Sequence, residues 1–152
     1  MRWPGTLNRD CRGAAAMEFA FAVPLLLTII VGMLQVGMAF LSNAGMRNGV
    51  EIATRYSTIY PTPTDAQIWA KLQANAFGVG PLTNATSSTV SGCTRYAGDA
   101  PGTTDDYSAT ICRGTANGEN TTEITMVYPV KLNLFLYSNT INLTYTRRAY
   151  RN

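Results

Sequence analysis

The chain has 152 residues, with 12 Lys and Arg against 9 Asp and Glu, a net charge of +3, and charged residues make up only 14% of it, against roughly 25% in an ordinary soluble domain. So small a basic surplus excludes a general nucleic-acid binder. The absence of His removes the commonest general base and nitrogen metal ligand, which excludes His-dependent hydrolase triads and His-ligated zinc sites. Three Cys, 13 Gly and 7 Pro fit neither a dense disulfide scaffold nor collagen, and the 46% apolar content argues against disorder.

The N-terminal flank carries Arg2, Arg9 and Arg12 against Asp10 alone, a bias that holds this end in the cytoplasm. From Phe19 the chain reads FAFAVPLLLTIIVGML and, after Gln35, VGMAFL to Leu41, with no charge between Glu18 and Arg47. As a helix, residues 14–41 reach about 42 Å, more than the ~30 Å of a hydrocarbon core. A buried core helix, the alternative, should show a polar face, and this stretch has almost none. Pro24 cannot donate to the carbonyl of Ala20, so a kink is expected there. Residues 42–152 are then exported, in one soluble domain.

Met46, Val50, Ala53 and Ser57 stand at helical spacing, with Arg47, Glu51 and Arg55 at four-residue steps, so the helix is expected to continue over 42–59. Gly45 and Gly49 form a small-xxx-small pair. Plain helix continuation without a contact role is the first reading, and close helix approach the second. Tyr60-Pro61-Thr62-Pro63 stops this helix, and Thr64-Asp65-Ala66-Gln67 has the spacing of a capping box. A short helix over 65–77 follows, with Trp69, Leu72, Ala76 and Phe77 on its apolar stripe and Gly78 as its stop.

Residues 87–150 turn to Thr, Ser and β-branched residues between turn clusters, the texture of strands. Ile124, Met126, Tyr128, Val130, Leu132, Leu134 and Leu136 alternate with a polar face that holds Pro129, so an edge strand or bulge is expected there. After Ser138-Asn139-Thr140 the alternation repeats with Ile141, Leu143 and Tyr145, which predicts an antiparallel pair. Further strands near 89–96 and 107–113 complete a three- or four-stranded antiparallel sheet, and the class is α+β. In an oxidising exported compartment Cys93 and Cys112 are expected to form a disulfide worth on the order of 3 kcal/mol. Two unrelated buried thiols are the alternative, and Cys11, on the cytoplasmic side, stays reduced.

No nucleotide-binding motif or CxxC pair occurs, so the reading is of a non-enzyme with no cofactor and no metal site. Asp99, Asp105 and Asp106 lack a fixed ligand spacing and read as a solvated turn. Arg147, Arg148 and Arg151 read as a solvated basic terminus.

Glu18 stands out, because an acid at the edge of a membrane run needs a partner or a place in the headgroup layer. The run RGAAAMEFAFAVPLLLTIIVGMLQVG around it resembles the N-terminus of TadE-like pseudopilins of the Tad (tight adherence, Flp-type) pilus system, most closely over residues 12–60. The resemblance implies that a prepilin peptidase cuts after Gly13, removing a leader, 1–13. Glu18 then falls at the fifth mature position and Phe19 at the aromatic that follows it. Cutting frees an α-amine on Ala14, which can pair with the Glu18 carboxylate on the same helix or between neighbouring subunits. In such pilins the pair is thought to register an incoming subunit. The partners implied are the prepilin peptidase, other pseudopilins, the major pilin, the pilus assembly platform and the bacterial inner membrane, with the C-terminal domain in the periplasm and the cell surface reached after assembly. The rival reading is an ordinary signal peptide cut after Ala44, which releases a secreted binding module.

Overall fold

Between Arg12 and Tyr56 only Pro24 opposes helix formation, and helix α1 (Arg12–Tyr56) runs through it for 45 residues. Thr28 Oγ1 donates to the carbonyl of Pro24 at 2.8 Å. The computed structural model describes residues 12–100, 106–116, 119–134 and 137–151. Arg2, Arg9, Asp10 and Cys11 of the expected leader, Asp105 of the acidic turn and Leu136 of the alternating strand lie outside the described residues. The helix ends at Tyr56, three residues short of the expected 59. Hydroxyls take up its last carbonyls there: Ser57 Oγ donates to Thr54 O at 2.6 Å and Thr58 Oγ1 to Arg55 O at 2.8 Å.

Helix α2 (Asp65–Asn75) starts on the expected capping box. Gln67 N donates to Thr64 Oγ1 at 3.3 Å, and Thr64 N donates to Gln67 Oε1 at 2.9 Å. It stops two residues before the expected 77. Ala76 is extended, Asn75 Nδ2 donates to Lys71 O, and Asn48 Nδ2 of α1 donates to Asn75 O at 2.9 Å. The buried face is Ile68, Trp69 and Leu72; Phe77, expected on the stripe, is 47% exposed.

Strands β1 (Thr86–Val90), β2 (Cys93–Asp99), β3 (Asp106–Ala116), β4 (Glu119–Leu134) and β5 (Tyr137–Arg151) form one antiparallel meander in sequential order. The α+β class holds, with five strands where three or four were expected. The additional strand arises because the segment expected as one strand near 89–96 is a hairpin. Ser91 and Gly92 have φ of 51° and 78°, and their two-residue turn closes on the Val90–Cys93 pair.

Ile124, Met126 and Tyr128 of β4 are buried as their alternation predicts. β4 lies between β3 and β5 only as far as Val127, where the pairing with β3 ends. Pro129 therefore falls in the part of β4 that is an edge, where a missing N–H is tolerated. It is fully buried, however, and does not stand on an exposed polar face.

One core joins α1 through Met46, Val50 and Ala53, α2, and the sheet through Tyr96, Tyr107, Ala109, Ile111, Ile124 and Met126. Trp69 stacks on Tyr96 at 5.1 Å between centroids and on Tyr107 at 6.2 Å, and Tyr107 stacks on Tyr128 at 6.5 Å. The phenols keep their hydrogen bonds: Tyr107 OH donates to Thr83 O, and Gly80 N donates to Tyr128 OH.

Gly45 and Gly49 have a contact role after all, within the chain. They let the end of α2 and the residues just after it lie directly on α1: a Cβ at Gly45 would overlap the Phe77 carbonyl, and one at Gly49 would stand 3.0 Å from Ala76 Cβ and from Leu72 O.

Candidate functional site

The apolar half of α1 stands free of this core. None of its most apolar 18-residue window is buried, and Phe19, Met33 and Phe40 are each about 70% exposed. A helix of this length, with apolar side chains on every face, is stable in lipid or among other helices and unfavourable in water. By length and composition it is a candidate membrane span.

The residues named for processing lie at its start. Gly13 is the second residue of α1, exposed, with no atom within 4 Å of a Cβ built on it. Gly13 thus stands in the first turn of the helix. Glycine weakens that turn and helix ends fray, so opening it costs little. Glu18 and Phe19 are exposed on α1, one turn and more beyond Gly13. In the uncut chain the Ala14 nitrogen is part of a peptide bond.

At the other end of α1 charged groups fasten the helix to the sheet. Tyr145 OH donates to Glu51 Oε1 at 2.7 Å, Arg147 Nε stands 3.3 Å from the same oxygen, and the Arg47 guanidinium lies 5.2 Å from the Tyr145 ring centre. The hydrogen bond to Glu51, followed by burial, raises the Tyr145 pKa above its ordinary value. Burial raises those of Tyr96 and Tyr107 as well, and Asp65 and Asp99 respectively reinforce it.

A second clamp holds the start of α2 to β2 and β3. Arg113 Nε donates to Asp65 Oδ1 at 2.7 Å and Arg113 Nη2 to Pro63 O at 2.6 Å, while Thr94 Oγ1 donates to Asp65 Oδ2 at 2.6 Å. Beside it Cys93 and Cys112 are bonded as a disulfide across neighbouring strands, with Cα atoms 4.4 Å apart.

The basic terminus is not simply solvated, since Arg147 pairs with Glu51 and Arg148 with Glu123 across β4 and β5. The hydrogen bond to Glu123 raises the Arg148 pKa. Asp99 and Asp106 face each other across β2 and β3. Among the described residues no three Cys, Asp or Glu side chains gather as a metal cluster would require. Two ion pairs thus fix helix to sheet, Glu51 with Arg147 joining α1 to β5 and Asp65 with Arg113 joining α2 to β3.

Comparison with known proteins places the similarity on this helix. A family model described as TadE-like protein matches residues 13–55, a span beginning at Gly13 and ending one residue before α1 ends. No curated protein and no solved structure matches the chain.

Proposed function

We propose that this chain, a TadE-like protein by its residues 13–55, is a minor pilin or pseudopilin of a Tad-type pilus, a structural protein and a substrate of a prepilin peptidase. The observation that carries the reading is that the family match coincides with a 45-residue helix whose most apolar stretch has no buried residue among those described. An unassembled subunit can keep that half in the inner membrane, and an assembled one can bury it among the helices of its neighbours.

In this reading residues 1–13 are a cytoplasmic leader, 14–41 the membrane and pilus-core helix, and 42–152 the periplasmic domain that makes lateral contacts. Cleavage after Gly13 frees an ammonium at Ala14, four residues from Glu18, and in a low-dielectric bundle the two charges neutralise each other. The partners are the prepilin peptidase, other pseudopilins, the major pilin and the assembly platform, and the output is surface adherence.

Packing favours this reading over release after Ala44. That bond lies inside α1, with Ser42, Gly45 and Met46 buried around it and Ser42 Oγ donating to Gly78 O. Cutting there would break the helix where it is held against the residues that follow α2. The test is a pair of variants expressed in a piliated host. Gly13→Ala should accumulate as uncut, membrane-retained precursor by intact mass, whereas Glu18→Ala should be trimmed normally and fail to enter pili. Normal trimming of Gly13→Ala, or normal pili with Glu18→Ala, contradicts the corresponding step.

A further inference from the structure

Past Val127, β4 parts from β3 and pairs with β5 alone, making a two-stranded ribbon from the Tyr128–Leu143 pair to the Leu134–Tyr137 pair. The ribbon follows α1 toward its N-terminus. Tyr145, opposite Met126, bonds Glu51, and seven residues along β4 Gln35 Nε2 donates to Asn133 O at 2.5 Å. Seven strand residues span about 23 Å and the sixteen helix residues from Gln35 to Glu51 about 24 Å, so the two elements run side by side. Beyond that contact Asn133 lines, with Pro24, Leu27, Thr28 and Val31 of α1, a cleft of about 450 Å³. The end of the ribbon therefore lies at a level of α1 whose side chains are apolar and exposed.

Where the bilayer surface falls follows from α1. Thr28 is the sole polar side chain between Glu18 and Gln35, and the sixteen residues between them rise about 24 Å, most of the ~30 Å of a hydrocarbon core. With the boundary at Gln35, Asn133 stands at that boundary and the Leu134–Tyr137 pair a few ångströms past it. The sequence has no charged residue between Lys131 and Arg147. Lys131 is exposed two residues before Asn133, roughly 7 Å back, at headgroup level. Past Val127 neither edge of the ribbon has a neighbouring strand among the described residues, and open sheet edges are not tolerated in hydrocarbon. An interfacial position, within about 5–10 Å of the boundary, suits it.

We propose that the end of the β4–β5 ribbon is a second membrane-contacting element. It rests in the boundary of the leaflet on the exported side, with Lys131 toward lipid phosphates and a phospholipid acyl chain in the cleft beside Leu27 and Val31. The inference rests on the reading of α1 as a membrane span, and it moves the hydrocarbon boundary from Leu41 to about Gln35, with the exposed Val36, Met38 and Phe40 in the interfacial layer.

Spin-label accessibility on the full chain in phospholipid vesicles tests it, with Cys11→Ser as background and single labels at Ser138→Cys, opposite Asn133 in the ribbon, at Val31→Cys on α1, and at Asn120→Cys at the far end of β4. All three positions are exposed. The ratio of oxygen to nickel-chelate accessibility at Ser138 should rise several-fold above that at Asn120 and approach that at Val31. A Ser138 ratio equal to that of Asn120, with Val31 in lipid, overturns the ribbon proposal and leaves the membrane span standing. Spin–spin broadening at Ser138 without lipid exposure overturns it too, in favour of a second copy of the chain. Water-like ratios at both Ser138 and Val31 overturn the membrane span itself, and the proposal with it.

Discussion

Replacing Gly45 by Ala sets two effects of opposite sign against each other, and the structure decides between them. In an open helix surface the change stabilises by about 1 kcal/mol, since Ala has the higher helix propensity. At Gly45 the new Cβ overlaps the Phe77 carbonyl, a backbone atom that moves only if the segment leaving α2 moves with it. Overpacking of this kind costs about 1–3 kcal/mol, and an overlap with backbone belongs at the upper end. The net expectation is a loss of about 1–2 kcal/mol. Gly49→Ala is the internal comparison: its Cβ would stand 3.0 Å from Ala76 Cβ and from Leu72 O, a crowding that small shifts relieve, so gain and loss nearly cancel. The assay is thermal unfolding of the full chain in detergent, followed by near-ultraviolet circular dichroism. That signal reports the stacked Trp69, Tyr96 and Tyr107, and is insensitive to the detergent-bound part of α1. About 4–8 °C per kcal/mol holds for a domain of this size, so Gly45→Ala should melt several degrees below both the parent and Gly49→Ala. A melting temperature for Gly45→Ala at or above the parent's would refute the claim that these glycines serve the packing of α2 on α1.

Three further outcomes follow from the clamps and the crosslink. Removing the disulfide with Cys93→Ala and Cys112→Ala together should lower stability by about 3 kcal/mol, read from urea unfolding; an unchanged midpoint contradicts its stabilising role. Tyr145 titrates above its ordinary value of 10 in the folded chain, so its contribution is complete below about pH 10 and declines as pH rises through the raised folded value. Tyr145→Phe should be less stable than the parent at neutral pH, with the gap closing at strongly alkaline pH; a gap that widens there contradicts the bond to Glu51. Asp65→Asn leaves Arg113 without its charge partner and weakens the hold of α2 on β2 and β3. A loss of about 1–2 kcal/mol is expected from this half-buried pair, measured by the same unfolding curves, and no loss would assign the attachment to the Trp69 stack alone.

The two helices and the β4–β5 pair were legible because their signals are local. Apolar spacing in α1, the Thr64–Gln67 box, and the alternation from Ile124 to Tyr128 all lie within one element, and backbone geometry turns each into structure. Gly13 and Phe19 are singled out only through resemblance to a family pattern, whereas Glu18 also stands out as an acid at the edge of an apolar run. What escaped the sequence depends on partners far along the chain. Gly45 meets Phe77, Arg147 meets Glu51, and Gln35 bonds Asn133 across 98 residues. The Ser91-Gly92 turn is different: Ser-Gly is a local turn signal, and in the structure both residues take positive φ and split the segment near 89–96 into a hairpin. The stripe that starts at Trp69 leaves out Ile68, because the buried face of α2 is one residue wider than an i, i+3 spacing from Trp69 defines.

N-terminal sequencing of the chain recovered from the membranes and sheared pili of piliated cells tests the central claim most directly. A protein beginning at Ala14 is the predicted result, with the Glu18 carboxylate four residues from a free amine. A protein that still begins at Met1 in cells with normal pili, or one that begins at Gly45 in the medium, contradicts it.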